Sequence, residues 1–371
     1  MMQPAFSSTK QAAAFAVLLL VILLSPLLVG ESMLRSREQI YSSIPWSAGP
    51  YPYVHDQIFV EKGDLDVVFM GPSTMWYGID TSYFQKKLSE KLGRPAEART
   101  ICWDWVGADP FYRIAKDLLE HRRVHMIVFC DVAITAPDTA HKMAPDLFRW
   151  PERGEDLAGL QPRAKTAFYA ASIIGMPRNL LGRVRSNLPV TGQDAEEISW
   201  PGGEHIKNPF LHLGSLSCPM IEGREWVKFT PPTKPDPSNV LVYSETTKTN
   251  FQFLNGAATH EMPLQPLQIN FLKKVAALAR EHDVKMVYLY VPRENEAKFT
   301  TIDPTTFWPD IFGSNVAMVG IPPAKLFAGL SDDEITKLYW EYRHLNDNGQ
   351  KFFTPVVTPA LVQLYETEIQ H

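Results

Sequence analysis

Cysteine is scarce. Cys102, Cys130 and Cys218 are three in 371 residues, an odd and small number that does not build a disulfide framework. Cys102 and Cys130 close two predicted strands, where buried thiols pack as small hydrophobes. Charge of one sign is also missing. Lys and Arg number 36 against 41 Asp and Glu, a formal net charge of −5, so the chain has no basic field of the kind nucleic acid demands. Metal-ligand spacing is absent as well: His260-Glu261 and His121-x-x-x-His125 lack further ligands at suitable intervals. No metal site is read and no cofactor is expected. The chain shows no internal repeat and no low-complexity run.

What is present begins with a long apolar run. Residues 12–29 are interrupted only by Ser25 and Pro26, and Lys10 and a short tail precede them. The run is at the lower edge of what spans a bilayer and exceeds a typical signal-peptide core. Val29-Gly30-Glu31-Ser32 makes a poor cleavage site. The expectation is an uncleaved transmembrane signal anchor over residues 1–30 with everything after Gly30 outside the cytoplasm, although Arg35 and Arg37 weaken the charge asymmetry. A juxtamembrane segment would follow over 31–60, and a single large domain over 61–371, since 45% hydrophobic residues suffice for a substantial core.

From residue 64 onward, strands and helices alternate as an open parallel sheet requires. Strands are expected at 65–70, 98–102 and 124–130. A helix from about 81 to 92 carries Phe84, Leu88 and Leu92 on one face, with Gly93 and Pro95 ending it. A second helix carries Phe111, Ile114 and Leu118, with Asp109 as its cap and Pro110 at its first position. After an insertion at about 133–263 the alternation resumes: a helix carrying Leu267, Phe271, Leu272, Val275 and Leu278, strands at 284–291 and 316–321, and a last helix after Asn348-Gly349. Pro355 and Pro359 should bend that helix or delay its start. The fold class is therefore α/β, a three-layer sandwich around a parallel sheet. In such sheets ligands gather at the carboxyl ends of the strands, where Ser73, Gly107 and Asp131 would lie.

Ser73 follows the first strand within Gly71-Pro72-Ser73-Thr74-Met75-Trp76, and Glu341-Tyr342-Arg343-His344-Leu345-Asn346 lies near the C-terminus. Serine is a poor nucleophile at its own pKa and needs a base within hydrogen-bond reach, and the base needs a third group to fix its tautomer. His344 can be that base and Glu341 the orienting acid. The backbone amides of Ser73 and Gly107 are candidates for the oxyanion hole. Each has a plainer reading: Ser73 and Gly107 as turn residues, His344 as a core or cap histidine, Glu341 as a solvated carboxylate.

These residues resemble the SGNH (GDSL-like) hydrolases and acyltransferases. They come nearest to the membrane-anchored branch that includes the alginate and peptidoglycan O-acetyltransferases and the D-alanyl-lipoteichoic acid transfer protein. Gly71-Pro72-Ser73 looks like the first block with Pro72 in place of Asp, Gly107 like the second-block glycine, and Glu341-x-x-His344-Leu345-Asn346-x-x-Gly349 like the final block with Glu for Asp. The third block, Gly-x-Asn-Asp, has no counterpart; the third strand ends in Phe129-Cys130-Asp131-Val132. The resemblance covers about residues 60–131 and 265–368. It implies an SGNH-hydrolase-like domain on the outer face of a bacterial inner membrane, acylating a polysaccharide or cell-wall glycan beside a multi-spanning membrane-bound O-acyltransferase. A plain esterase or deacetylase would use the same residues with water as acceptor. A non-catalytic glycan-binding or assembly component is the alternative from another class.

Trp76, Tyr77, Trp103 and Trp105 cluster in sequence around the expected site. Their faces suit stacking on sugar rings, or they are core. Trp76, Trp103, Trp105, Asp131 and Asn346 are thus the candidates for lining the site. Within the insertion, residues 163–188 form the clearest helical stretch, apolar on one side and rimmed by Lys165, Arg178, Arg183 and Arg185. It suits a cap packed on the domain or an interfacial helix on an anionic membrane.

Overall fold

The computed structural model describes residues 8–28, 35–44, 50–103, 105–130, 139–148, 157–163, 165–166, 227–243, 265–302, 309–312 and 316–369. Six strands form one sheet in the order β2-β1-β3-β5-β6-β4: β1 (Leu65–Gly71), β2 (Ala98–Cys102), β3 (Val124–Phe129), β4 (Leu241–Tyr243), β5 (Lys285–Leu289) and β6 (Val316–Gly320). Five run parallel, and the three-residue β4 closes one edge antiparallel to β6. The long strands are buried along nearly their whole length. This is why they read as apolar runs and not as apolar-polar alternation.

Side chains still alternate between the two faces. Val68, Met70, Ile127, Phe129, Met286 and Met318 join one core, and Val67, Phe69, Met126, Val128, Val287 and Val319 join the other. The main helices are α1 (Thr9–Leu28), α2 (Arg37–Ser42), α3 (Ser73–Gly78), α4 (Thr81–Leu92), α5 (Ala108–His121), α6 (Pro266–Glu281) and α7 (Asp347–Ile369). Helices α5 and α6 cover the first face with Phe111, Ile114, Leu118, Leu267, Phe271 and Val275. Helices α4 and α7 cover the second with Phe84, Leu88, Phe353, Val357 and Leu361. Helices on both faces make an α/β arrangement consistent with a three-layer sandwich. The periodicity of α4 has matching end signals: Asp80 Oδ1 accepts the Tyr83 N–H at 2.9 Å, and Gly93 ends the helix in the left-handed region at φ 65°.

Residues 35–44 and 50–60 are part of the domain and not a free tether. Ile40, Tyr41, Tyr51, Val54 and Ile58 are buried in the first core. Arg37 reaches back to Asp117 on α5, whose carboxylate also receives Arg113 Nη2 at 2.5 Å and Tyr41 Oη at 2.6 Å. Burial raises the pKa of Asp117, but the two guanidiniums outweigh it and hold the carboxyl well below the usual carboxylate range.

Several expectations need correction. Helix α1 runs over Thr9–Leu28, with side chains described as far as Val21. Among the described residues no helix is long and apolar enough to cross a membrane, so the expected span over 12–29 is not supported. Pro355 and Pro359 do not delay the start of α7, which begins at Asp347: both lie inside one 23-residue helix. The carbonyls they leave without a helical N–H belong to Lys351 and Pro355, exposed and half-buried, where water can serve as donor. The edge strand β4 lies inside the insertion and was not expected. The helical stretch read at 163–188 falls, beyond residue 166, outside the described residues.

Candidate active site

The carboxyl end of β1 and the segment before α7 meet at one point. Ser73 is the first residue of α3, directly beyond β1. It is 8% exposed, and its Oγ lies 2.8 Å from His344 Nε2. His344 Nδ1 lies 2.5 Å from Glu341 Oε1. Because a carboxylate can only accept, the ring proton sits on Nδ1, which leaves the Nε2 lone pair to accept the Ser73 hydroxyl. The expected trio is thus brought together from positions 271 residues apart.

The loop that presents His344 is narrow and pinned. Tyr339 and Leu345 form an antiparallel bridge, the Trp340 N–H donates to the His344 carbonyl at 2.8 Å, and the Asn346 N–H donates to the Leu338 carbonyl at 2.9 Å. The Glu294 N–H donates to the Tyr342 carbonyl at 2.9 Å. Gly349 is required here, since a Cβ would lie 2.1 Å from the Leu338 carbonyl oxygen. Tyr77, one turn along α3 from Ser73, packs edge-on against the His344 ring with centroids 5.3 Å apart. The imidazole is held from both sides and is 2% exposed.

Glu341 Oε1 also accepts the backbone N–H of Arg343 at 2.9 Å and of His344 at 3.0 Å. Burial raises its pKa, yet the His344 bond and these amides prevail and hold the carboxyl below its ordinary value. The acid therefore stays ionised behind the ring, as an orienting group must.

Ser73 and His344 open into a cavity of about 590 Å³. Arg343 lies beside them on its wall, and Trp105 and Lys142 form another part of it. Trp105 is 44% exposed, holds a left-handed backbone at φ 67°, and has Lys142 Nζ 5.0 Å from its ring centroid. A non-glycine residue in that region of the backbone map is uncommon and concentrates at sites where the side chain must be aimed. Asp109, His141 and Gln268, all buried, also line the cavity.

The remaining candidates fare differently. Trp76 and Trp103 are 1% and 0% exposed and are core, not cavity wall; Trp103 stacks on Phe111 with centroids 5.6 Å apart. Asn346 is also buried away from the cavity: its Oδ1 accepts the Asn348 and Gly349 N–H groups at 2.9 and 3.2 Å, so it secures the start of α7. Asp131 lies outside the described residues. Gly107 immediately precedes α5 and sits between Val106 and Asp109, which both line the cavity. A Cβ there would meet Asp109 Oδ1 at 3.0 Å and the His141 ring at 3.2 Å.

Asp109 is not the helix cap it was expected to be. Helix α5 starts at Ala108, and the Asp109 Oδ2 atom accepts the His141 N–H at 2.8 Å instead. His141, Lys142 and Gln268 had no marker in the sequence, since they reach the cavity only through tertiary contacts across the insertion and α6. Arg343 lay inside the Glu341-x-x-His344 motif without a role. Among the described residues no group of three or more His, Cys, Asp or Glu side chains is placed to hold a metal ion. No family model matches the chain, and no curated protein or solved structure matches it.

Proposed function

We propose that the chain is a serine-dependent acyltransferase in which Ser73 carries the acyl group. The observation that carries this reading is the relay Ser73 Oγ, His344 Nε2, His344 Nδ1, Glu341 Oε1, with links of 2.8 and 2.5 Å, opening into a cavity of about 590 Å³. His344 takes the Ser73 proton as Oγ attacks the acyl carbonyl and returns it to the leaving group, while Glu341 stabilises the imidazolium formed between. The nucleophile is largely buried, which restricts the water that would divert an acyl-enzyme to hydrolysis.

The finer reading rests on the resemblance to the SGNH acyltransferases in the blocks at Ser73, Gly107 and His344. The acceptor is a hydroxyl of a polysaccharide or cell-wall glycan, the modification is O-acetylation or a related acylation, and the site works outside the cytoplasm of a bacterium. The acyl group is delivered by a multi-spanning membrane-bound O-acyltransferase.

The test is intact-mass analysis of the purified full chain after exposure to p-nitrophenyl acetate. The wild type should gain one acetyl group, mapped by peptide fragmentation to Ser73, and Ser73→Ala should gain none. Equal labelling of the two proteins would remove Ser73 from the mechanism.

A further inference from the structure

We propose that Asp109, as its neutral acid, is a hydrogen-bond donor of the oxyanion hole beside Ser73. The inference rests on the acyl-transfer reading above and extends it to a residue outside the relay.

Asp109 is fully buried and lines the cavity that Ser73 and His344 open into. Its two oxygens differ. Oδ2 accepts the His141 N–H at 2.8 Å, whereas Oδ1 has no hydrogen-bond partner among the described residues although it is shielded from solvent. Oδ1 is also the atom 3.0 Å from where a Cβ would stand on Gly107, which places it beside that glycine at the start of α5. The next amide along, that of Ala108, is already taken: it donates to Gln268 Oε1 at 2.8 Å. Among the described residues, Asp109 Oδ1 is thus a buried side-chain atom at this corner without a partner.

A buried carboxylate oxygen with no donor is expensive, and the inexpensive remedy is a proton. The proton belongs on Oδ1, because Oδ2 is accepting. Burial pushes the Asp109 carboxyl up to about 7, against the smaller opposing effect of the His141 amide and its own. Around the cavity, the insertion presents His141 and Lys142, the loop before α7 presents Arg343 and His344, and α6 presents the uncharged Gln268. His141 Nδ1 accepts the Met143 N–H at 3.1 Å, so its neutral ring carries the proton on Nε2. An ionised Asp109 would repel a developing oxyanion, whereas the neutral acid donates to it, and a carboxylic acid kept neutral by its surroundings is an effective donor for this purpose.

In the step itself the Ser73 Oγ–carbon bond forms, the carbonyl electron pair moves onto oxygen, and the Ser73 proton passes to His344 Nε2. The oxyanion accepts from Asp109 Oδ1–H and from the Gly107 amide. On collapse the carbonyl re-forms, the bond to the leaving oxygen breaks, and that oxygen takes the proton from His344. Asp109 keeps its proton throughout.

The experiment measures the rate of Ser73 acetylation by p-nitrophenyl acetate from pH 5.5 to 9 for the full chain, Asp109→Asn and Asp109→Ala, with melting temperatures alongside. The wild-type rate should show a limb that falls above about pH 7, as Asp109 gives up its proton. Asp109→Asn still accepts from His141 and offers an amide N–H to the cavity. It should react about tenfold more slowly at pH 6 and lose the falling limb. Asp109→Ala should drop on the order of 100-fold, the loss typical of one oxyanion donor. A falling limb unchanged in Asp109→Asn, or a loss in Asp109→Asn equal to that in Asp109→Ala at wild-type melting temperature, overturns the assignment. If the wild type takes no acetyl group on Ser73, the acyl-transfer reading fails and this inference with it. Labelled Ser73 with an unshifted Asp109→Asn profile sinks the Asp109 assignment alone.

Discussion

Glu341 Oε1 accepts two hydrogen bonds from the same residue, His344: one from ring Nδ1 at 2.5 Å and one from the backbone N–H at 3.0 Å. A single carboxylate oxygen thus ties the ring orientation to the backbone of the loop. Its loss and the loss of the base should differ in kind. Glu341→Gln keeps an oxygen that can accept both bonds but gives up the charge that steadies an imidazolium. Acylation of Ser73 should fall on the order of 100-fold, while His344→Ala should fall 1000-fold or more, because it removes the proton acceptor outright. Stopped-flow release of p-nitrophenolate checks both. A fully active Glu341→Gln would mean that another acid orients the ring.

Stability should depend on the Asp117 cluster with a definite pH signature. Asp117 is fully buried between Arg37 and Arg113, with Tyr41 as a third donor. Asp117→Asn leaves two guanidiniums without their counter-charge and should cost about 3–5 kcal/mol near pH 7, the range for breaking a buried pair from one side. The folded-state pKa of Asp117 is depressed. Its contribution is therefore complete above the ordinary carboxylate value near 4 and is lost as pH falls below that value toward the depressed one. Urea unfolding at pH 7 and at pH 3 should show the full gap between wild type and variant at the first and a gap smaller by about 1 kcal/mol at the second, since pH 3 lies only about one unit below the unfolded value. A gap independent of pH would show that the cluster acts by packing alone.

Legibility from sequence followed the range of the interactions involved. The α4 helix was readable because its stripe Phe84 and Leu88 and its stop Gly93 are local. The buried strands were readable because a two-sided core demands continuous apolar runs. That the prolines of α7 do not delay its start is not legible locally, because whether a lost N–H matters depends on which face the orphaned carbonyl meets, and that is a tertiary property. The meeting of Ser73, Glu341 and His344 was legible because an acyl-transfer relay would demand those residue types. The Asp109–His141 contact spans 32 positions without any shared periodicity, and nothing local distinguishes a cavity-wall acid from a helix cap. Asn346 carries a local sign of its role: an Asn immediately before Asp347-Asn348-Gly349 and a long apolar periodic run is a helix-start signature.

The two tryptophans on either side of position 104 should separate acceptor binding from folding. Trp105 is 44% exposed on the cavity wall, and Trp103 is fully buried against Phe111. Trp105→Ala makes the same backbone demand at φ 67°, so the change isolates the ring and its contact with Lys142. If the ring is a stacking face for a sugar acceptor, its removal forfeits on the order of a kcal/mol. Transfer to a glycan oligosaccharide should then fall roughly tenfold while acetylation of Ser73 by p-nitrophenyl acetate holds. Trp103→Ala opens a cavity in the core and should cost about 3–5 kcal/mol of stability, which depresses both steps together and lowers the melting temperature. Single-turnover acylation, acceptor transfer and thermal melting on the two variants make the comparison. A Trp105→Ala protein that loses both steps in parallel, or neither, would leave Trp105 without a part in acceptor binding.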